Sequence, residues 1–526
     1  MFPLSPRKRA SQDTNTSVGT ARDNSVWGGL ADLLTEKRRT RVTEEEFRLD
    51  ILNALLRTPH GDITPYVEPF RFLHDRDPLF FIRLAAWYNE LGTVHDLKQL
   101  FIAFLCTSKF SDEFRECGLS MMERLPPYQV QRVLYMIKGE DRGGTFQKGL
   151  GLSVPRSFKT AIRGYLKKRE SSDDSFESAV LHAREALSTL YCSLRIKPGN
   201  FAQKVLFDNN PPEGSRLHAL KMLSRTTDTE EQALIIADYQ LPYRAAVSAI
   251  KWLSPPVMVA IVDAMSPQEL INNLASLKKR GAFENEDIRA FIECKLEDAK
   301  TDRRVSALKT RQAIKAAGLD GEMEKQVAAV GDARIKSLGK VTRSTALFVD
   351  KSASMEEAIE VGKQVASIIA PICTKELTVY AFDTIAYPIK AKGNELSDWE
   401  NAFKGISANG STSCGSALEA LIKDGKQVDQ VIVVTDQEEN AQPFFERSLV
   451  HYGRQFGMTP DIVIVNVGAS STFLEDSLKN YDVHVDTYTF NGDYYSLPSL
   501  IPLLSQGTRS DLLADIMRYP LPERTK

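Results

Sequence analysis

The sequence predicts two kinds of domain in one chain, an α-helical solenoid followed by an α/β domain with a doubly wound parallel sheet. Three observations lead to this fold class. From Trp27 to about Gly339 helical patterns follow one another with little strand-like alternation. Near Val341, apolar runs of strand length begin to alternate with helical stretches, as in βαβ units. The length of 526 residues exceeds one ordinary domain and fits two or three.

The composition is that of a globular protein. Hydrophobic residues make up 42% and charged residues 26% of the chain, and no apolar run approaches the roughly 18 residues of a membrane span. No apolar segment follows the basic N-terminal run, so we expect no secretory signal and no membrane partner. The six cysteines lie far apart, which favours a reducing compartment over a disulfide scaffold or a zinc site. We therefore expect a cytoplasmic protein.

The net charge of −2 conceals an asymmetry between the two parts of the chain. From Val341 onward, about 16 Lys and Arg stand against about 25 Asp and Glu, which leaves the preceding part with roughly +7. Such a split indicates an anionic partner for the first part. Nucleic acid is the leading candidate.

The first part of the chain is predicted to be helical after a short tail. Residues 1–26 are rich in Ser, Thr, Asn and Arg, and we expect a disordered, weakly basic tail there. Residues 27–340 form the predicted helical domain, with helices at Glu44–Leu56, Asp77–Leu91, Tyr128–Lys138, Ser178–Leu194 and Glu284–Ala299. Prolines are expected in the first turns of helices, at Pro78, Pro127, Pro155, Pro198, Pro242, Pro256 and Pro267. Successive pairs of short helices predict a solenoid of degenerate HEAT-like units.

A stretch of the helical domain is strongly basic. Between Arg142 and Arg169 there are eight Lys or Arg and no Asp or Glu. After Pro155 the spacing is helical, and it places four cations on one stripe and apolar residues on another face. We predict that RNA or DNA contacts the side chains of Arg142, Lys148, Arg156, Lys159, Arg163, Lys167 and Lys168. The alternative is a solvated face, but such faces usually interleave acidic residues, and this stretch has none.

Residues 341–526 form the predicted α/β domain. After the run Ala346–Val349, further strands are predicted at Leu377–Phe382, Val431–Val434, Ile462–Val467 and Val483–Tyr488, with a helix at Glu356–Ala370 among them.

Polar residues follow two of these strands, and a third polar segment forms a loop between them. Asp350-Lys351-Ser352-Ala353-Ser354 follows the first strand, Asn409-Gly410-Ser411-Thr412-Ser413 reads as a flexible loop, and Asp436 ends a later strand. Carboxylate and hydroxyl oxygens are the ligands that hard cations prefer, although serines here could also simply cap a helix. The three segments, in this order, resemble the metal-ion-dependent adhesion site of von Willebrand A domains. The resemblance implies that Mg²⁺ or Mn²⁺ is held by Asp350, Ser352, Ser354, Thr412 and Asp436.

No motif of the sequence supports catalysis. There is no Walker loop, no His-Glu-x-x-His and no Gly-x-Ser-x-Gly. Asp350 could suggest a phosphatase nucleophile, but Ser352 stands where that motif requires a second acid. We expect a protein that is not an enzyme.

The order of the domains resembles the Ro autoantigen family, also called the TROVE-module proteins, and in particular its bacterial members. The resemblance extends from about Trp27 to the C-terminus, and its most specific parts are Arg156-Ser157-Phe158-Lys159-Thr160-Ala161-Ile162, the later Lys197-Pro198 and the metal-site loops. It implies a monomeric ring of helical repeats closed by the A domain. It also implies binding of small noncoding Y RNA on the outer surface and of single-stranded ends of misfolded or precursor RNA in the central hole.

The same resemblance implies a role in RNA quality control or maturation, together with an exoribonuclease such as polynucleotide phosphorylase. One alternative from another functional class stays open. The chain would then be a metal-dependent scaffold for protein interactions, in which the A domain captures a carboxylate of a protein partner.

Overall fold

The computed structural model of the protein describes residues 44–55, 62–92, 94–139, 149–302, 305–319, 321–337, 339–394, 396–468, 471–479, 481, 483, 485–490, 497, 500–505 and 509–524. The predicted tail at residues 1–26 lies outside these ranges. Within them, helices continue as far as Lys336, and the first strand begins at Thr345. The predicted fold class, a helical solenoid followed by an α/β domain, is confirmed.

The helical part consists of short helices joined by short loops. In chain order they are α1 (Glu44–Leu55), α2 (Thr64–Arg76), α3 (Pro78–Leu91), α4 (His95–Thr107), α5 (Asp112–Glu123), α6 (Pro127–Lys138), α7 (Arg156–Glu170), α8 (Asp173–Leu194), α9 (Asn200–Leu206), α10 (Arg216–Leu223), α11 (Thr229–Tyr239), α12 (Tyr243–Ala249), α13 (Pro255–Ala264), α14 (Pro267–Lys279), α15 (Glu286–Ala299), α16 (Ala307–Ala317) and α17 (Gly321–Lys336). None of the helices in the described ranges is long and apolar enough to cross a membrane.

Capping residues decide where several of these helices begin. The Ser172 hydroxyl accepts a hydrogen bond from the Ser175 amide, so α8 begins five residues before the predicted start. Asn285 caps α15 in the same way, and that helix begins two residues later than predicted. The prediction that prolines lie in the first turns of helices is correct for some of them. Those of α3, α6, α13 and α14 lie in the first turn, whereas Pro155, Pro198 and Pro242 precede their helices.

In the described residues, the α/β part is built on a six-stranded sheet with the order β3-β2-β1-β4-β5-β6. The strands are β1 (Thr345–Asp350), β2 (Leu377–Phe382), β3 (Ala386–Ile389), β4 (Gln430–Thr435), β5 (Asp461–Val467) and β6 (Val485–Phe490). All neighbours pair in parallel except β2 and β3. The helices between the strands are α18 (Glu356–Ile369), α19 (Leu396–Ala402), α20 (Gly415–Lys423), α21 (Phe445–Phe456) and α22 (Phe473–Lys479), and two further helices follow β6, α23 (Leu500–Ser505) and α24 (Arg509–Arg518).

The pattern of apolar runs predicted four of the strands closely and missed β3. That strand has only four residues, contains Pro388 and lies at the sheet edge, so it lacks an apolar run. The predicted strand Val483–Tyr488 is shifted, since β6 occupies Val485–Phe490. Val483 itself packs beside the helices on one face of the sheet. Two apolar clusters cover the two faces, as a doubly wound sheet requires.

The last helix returns to the beginning of the helical part. Helix α24 packs against α3, and its apolar residues Leu512, Leu513 and Ile516 belong to the same core as α1 to α9. Beyond the helix, the Arg524 guanidinium pairs with the Glu123 carboxylate at 2.6 Å. At the other end of the helical part, α17 packs against the α/β domain, whose core includes Ile335. The α/β domain is therefore joined to the end of the helical part by α17, and α24, which follows the sheet, is joined to its beginning.

Candidate nucleic-acid interface and metal centre

Helix α7 presents one apolar and one basic face, as the sequence predicts. Its buried residues are Phe158, Ala161, Ile162, Tyr165 and Leu166. Its exposed cations are Arg156, Lys159, Arg163, Lys167 and Lys168. The other two predicted nucleic-acid contacts, Arg142 and Lys148, lie outside the described residues.

The exposed cations of α7 have no acidic partner in the described part of the chain, where none of their side chains forms an ion pair. Arg169 differs from them, since its guanidinium stacks 4.5 Å from the centre of the Tyr165 ring. The Tyr165 hydroxyl in turn donates a hydrogen bond of 2.9 Å to the Leu125 carbonyl. Tyr165 thus fastens the helix to the segment before α6, Arg169 is engaged by the Tyr165 ring, and the other cations remain available to an anion.

A cleft of about 450 Å³ adjoins the second half of α7. Two further cations, Arg195 and Lys197, line it opposite Arg163 and Lys167. One acid, Glu170, also lines this cleft, but its carboxylate already accepts hydrogen bonds from the Tyr191 hydroxyl and the Gly199 amide. The cleft is therefore a basic concavity continuous with the stripe.

Sequence reasoning did not assign Arg195 to the interface. The residue ends α8 in the left-handed conformation, with φ of 54°, and this reversal turns the following segment toward α7. The contact between the loop and α7 is a tertiary one, so the helical spacing within α7 gave no sign of it.

The candidate metal centre lies at the carboxyl edge of the sheet. Asp350 ends β1 and is fully buried, and Asp436 follows β4, the neighbouring strand. The Thr435 hydroxyl donates a hydrogen bond of 2.7 Å to Asp350 Oδ2, and the Ser352 amide donates one of 2.8 Å to Oδ1. Ser352 and Thr412 are buried, whereas Ser354 is exposed.

Backbone hydrogen bonds join the three predicted loops. The Ala353 amide donates to the Gly410 carbonyl at 3.1 Å, which ties the loop after β1 to the loop before α20. The Asn440 amide donates to the Thr412 carbonyl at 3.0 Å, which ties that loop to the one after β4. Gly410 has φ of 90°, and a Cβ there would approach the Asp383 side chain to 3.3 Å, so the close meeting of the loops requires glycine.

A third strand-end carboxylate, Asp383, was not assigned from the sequence, although it follows β2 directly, as Asp436 follows β4. Its carboxylate forms a buried ion pair with the Lys351 ammonium, which lies 5.0 Å from the centre of the Tyr387 ring. Burial is the largest influence on the pKa of Asp383 and raises it, but the hydrogen bond and charge of Lys351 and the amides of Ile385 and Thr384 together outweigh burial, so the pKa is lower than usual. Because Lys351 neutralises Asp383, Asp350 and Asp436 remain as the acids that a cation could use.

The donors at this edge fit a hard divalent cation. Burial raises the pKa of Asp350 to about 6, against the hydrogen bonds from Ser352 and Thr435, and burial likewise raises the pKa of Asp436. Two carboxylates that are costly to ionise gain most from a nearby cation. Within the described residues no three His, Cys, Asp or Glu side chains cluster as a metal site, so a site here depends on hydroxyl ligands. Of these, the Thr412 side chain forms no hydrogen bond in the described part of the chain.

Glu439 is a further buried acid of the loop after β4. Its carboxylate accepts hydrogen bonds from the Gly415 amide at 3.2 Å and the Phe445 amide at 3.1 Å, at the beginnings of α20 and α21. Burial raises its pKa to about 7, and these two amides act in the opposite direction. Glu439 thus holds together two helices that flank the candidate metal centre.

Comparison of the sequence with models of protein families found no match, and neither did comparison with curated proteins. Among solved structures, the crystal structure of the Ro (RSR) protein of Deinococcus radiodurans matches with a TM-score of 0.57 at 14% sequence identity, covering 82% of this chain and 92% of that chain. This chain has the fold of a Ro protein. Proximal thread matrix protein 1 from the mussel byssus matches with a TM-score of 0.25 at 16% identity, covering 32% of this chain and 48% of that chain.

The Ro fold agrees with the predicted architecture over most of the chain. It accounts for the order of a helical solenoid followed by an α/β domain, which the sequence pattern predicted without an alignment. At 14% identity this structural match shows a shared fold alone, so a function has to be argued from the residues of this chain.

Proposed function

We propose that this protein is a non-catalytic RNA-binding protein of the Ro type. The observation that carries the proposal is the stripe of exposed cations on α7, which have no acidic partner in the described part of the chain and continue into the cleft with Arg195 and Lys197. Positive charges along one face of a helix repel each other, and the negative charges of a phosphate backbone relieve that repulsion. Structured RNA is recognised largely through shape and phosphates, which such a surface provides.

The proposed ligands are a small noncoding Y RNA on the outer basic surface and single-stranded ends of misfolded or precursor RNA in a central hole. The contacts of α24 with α3 and of α17 with the α/β domain support a closed, monomeric ring around such a hole. In this proposal the protein presents RNA to an exoribonuclease, such as polynucleotide phosphorylase, in quality control or maturation.

The proposed metal ligands are Asp350, Ser352, Ser354, Thr412 and Asp436, with Mg²⁺ or Mn²⁺ as the ion. A bound divalent ion would offer a coordination position to a carboxylate of a partner. Asp350 and Asp436 would balance the charge of the ion, and the hydrogen bonds of Asp350 with Ser352 and Thr435 hold its carboxylate in position. This second activity is compatible with RNA binding, since the two sites lie in different domains.

The test of RNA binding reverses the charge of two residues in the stripe. Replacing Lys159 and Arg163 with Glu removes two phosphate contacts. Because log K falls with log salt by roughly 0.7–0.9 per phosphate neutralised, the slope should flatten by about 1.5. Binding should weaken across many RNA sequences alike. Mobility-shift titrations at several salt concentrations measure both effects, with a melting curve of each variant alongside.

The matched control is Lys390→Glu with Lys392→Glu, which makes the same change in charge on exposed positions of the α/β domain. It should leave the affinity and the slope close to those of the parent. If the α7 variant melts and binds like the parent, the stripe is a solvated face. If both variants weaken binding equally, net charge is responsible and the interface is not on α7.

A further inference from the structure

A second cleft, of about 320 Å³, lies where the beginning of α8 meets the end of α11 and the loop before α10. Its charge is opposite to that of the basic cleft beside α7. Five carboxylates line it, those of Asp173, Asp174, Glu177, Glu213 and Asp238. The guanidinium of Arg216 also lines it and pairs with Asp174 at 2.9 Å. The lining is therefore strongly negative, and its volume is at the lower end of the roughly 300–1,000 Å³ of small-molecule sites.

Glu177 distinguishes this cleft from an ordinary acidic surface. The residue is only 3% exposed. Its Oε2 accepts a hydrogen bond of 2.8 Å from the Arg216 amide, but Oε1 has no partner in the described part of the chain. Leaving a buried carboxylate oxygen without a donor costs free energy, so native proteins nearly always provide one. Glu177, a residue of the cleft wall, thus has a buried acceptor oxygen without a donor in the described part of the chain.

The chemistry of the lining selects an organic cation over a metal ion. Among the described residues no three acidic, His or Cys side chains come close enough together to hold a metal, so the acids are spread along the cleft. The aromatic residues Phe201 and Tyr239 line it as well. Aromatic faces attract ammonium and guanidinium groups and also pack against an aliphatic chain. A water molecule could donate to Glu177, but it would leave the negative charge unbalanced.

We propose that this cleft binds an organic cation in which amine or guanidinium groups are joined by an aliphatic chain. Glu177 Oε1 accepts the buried N–H, and the exposed carboxylates of Glu213 and Asp238 bind charge nearer the surface. Free polyamines and the arginine side chain of a protein share this chemistry. The proposal does not depend on RNA binding, because it rests on other residues and another ligand.

The test is calorimetric titration of the full chain, in moderate salt and without RNA, with spermidine, with agmatine and with a short arginine-containing peptide. We expect binding of one ligand per chain, and Glu177→Gln should weaken it at least tenfold because the charge is lost while the shape is kept. Asp238→Asn, an exposed change that leaves the core intact, should weaken it less and decides the matter if Glu177→Gln does not fold. Glu230→Gln, on an exposed acid of α11 outside the cleft, is the matched control and should bind like the parent.

The three titrations also distinguish the two possible sources of the cation. Binding of spermidine or agmatine indicates a free ligand, whereas binding of the peptide alone indicates an arginine side chain carried by a protein. If none of the three binds, or if Glu177→Gln and Asp238→Asn bind as the parent does, the proposal is wrong. Failure of RNA binding in the α7 variant would leave this result unaffected.

Discussion

At the scale of single residues, two buried carboxylates near the carboxyl ends of the strands differ in their hydrogen-bond partners. Asp350 accepts hydrogen bonds from one hydroxyl and one amide and lies beside Asp436 across neighbouring strands, whereas Glu439 accepts from amides at the beginnings of two helices. The first arrangement leaves two acids close together, and the second gives one acid a structural role. Substitutions should therefore affect metal binding in one case and stability in the other.

Asp350→Ala should abolish the binding of a divalent ion, because Asp350 is one of two carboxylates available to it. The helical domain should stay folded, since among the described residues its core clusters share no member with this site. Calorimetric titration with Mn²⁺ measures the binding, and circular dichroism reports on the helices. Asp461→Asn, an exposed change at the amino end of β5 and so on the far side of the sheet from the site, is the control. Unchanged Mn²⁺ binding by the Asp350 variant would refute the assignment.

Glu439 should make the stability of the α/β domain depend on pH. Its folded pKa is about 7, above the usual 4.5, so the folded state holds an extra proton between these values. The stabilisation is complete below about pH 4.5 and is lost as the pH rises through 7, by up to about 3 kcal/mol. Glu439→Gln should lose less stability over this range, as measured by denaturant unfolding at pH 5 and pH 8 in chelator. Equal losses in variant and parent would contradict the prediction.

At the scale of elements, the two faces of α7 differ in burial and in charge. Phe158 is fully buried and Lys159, the next residue, is exposed. Phe158→Ala should lower the free energy of unfolding by roughly 3–5 kcal/mol through the cavity it leaves, whereas Lys159→Ala should cost less than about 0.5 kcal/mol. Urea denaturation of both variants measures the difference. A large loss in the Lys159 variant would mean that the stripe is part of the packing.

Periodicity predicted the elements whose pattern is complete within themselves. Helix α7 and strands β1, β2, β4 and β5 were identifiable because burial of one face, or of both, imposes a regular pattern on the sequence. The strand-end positions of Asp350 and Asp436 followed from the same pattern. Arg195, Glu439 and the Lys351–Asp383 pair were beyond reach, because their roles depend on contacts between segments distant along the chain.

At the scale of the whole molecule, the return of α24 to α3 joins the two domains. Leu512 and Ile516 are buried in the helical core, and Arg524 pairs with Glu123 on α5. No local pattern of the sequence could show where this last helix packs. The consequence is mechanical coupling of the α/β domain to the first helices as well as to the last ones.

Replacing Leu512 and Ile516 with Asp should detach α24, since each carboxylate would have to enter an apolar core. Thermal unfolding followed by calorimetry should then separate into two transitions at lower temperatures, one for each domain. Asp515→Lys, an exposed change on the same helix, should leave the parent profile unaltered. A single transition at the parent temperature in the double variant would mean that the contact adds nothing to stability.

The same contact sets an order of events during synthesis. The Arg83 side chain of α3 donates a hydrogen bond to the Tyr519 carbonyl, which lies 436 residues further along the chain. At translation rates of about 5–20 residues per second, the first helices wait roughly 20–90 s for the segment that covers them. During that interval their apolar surface is open to chaperones and proteases. A chain that stops before α24 would keep that surface exposed.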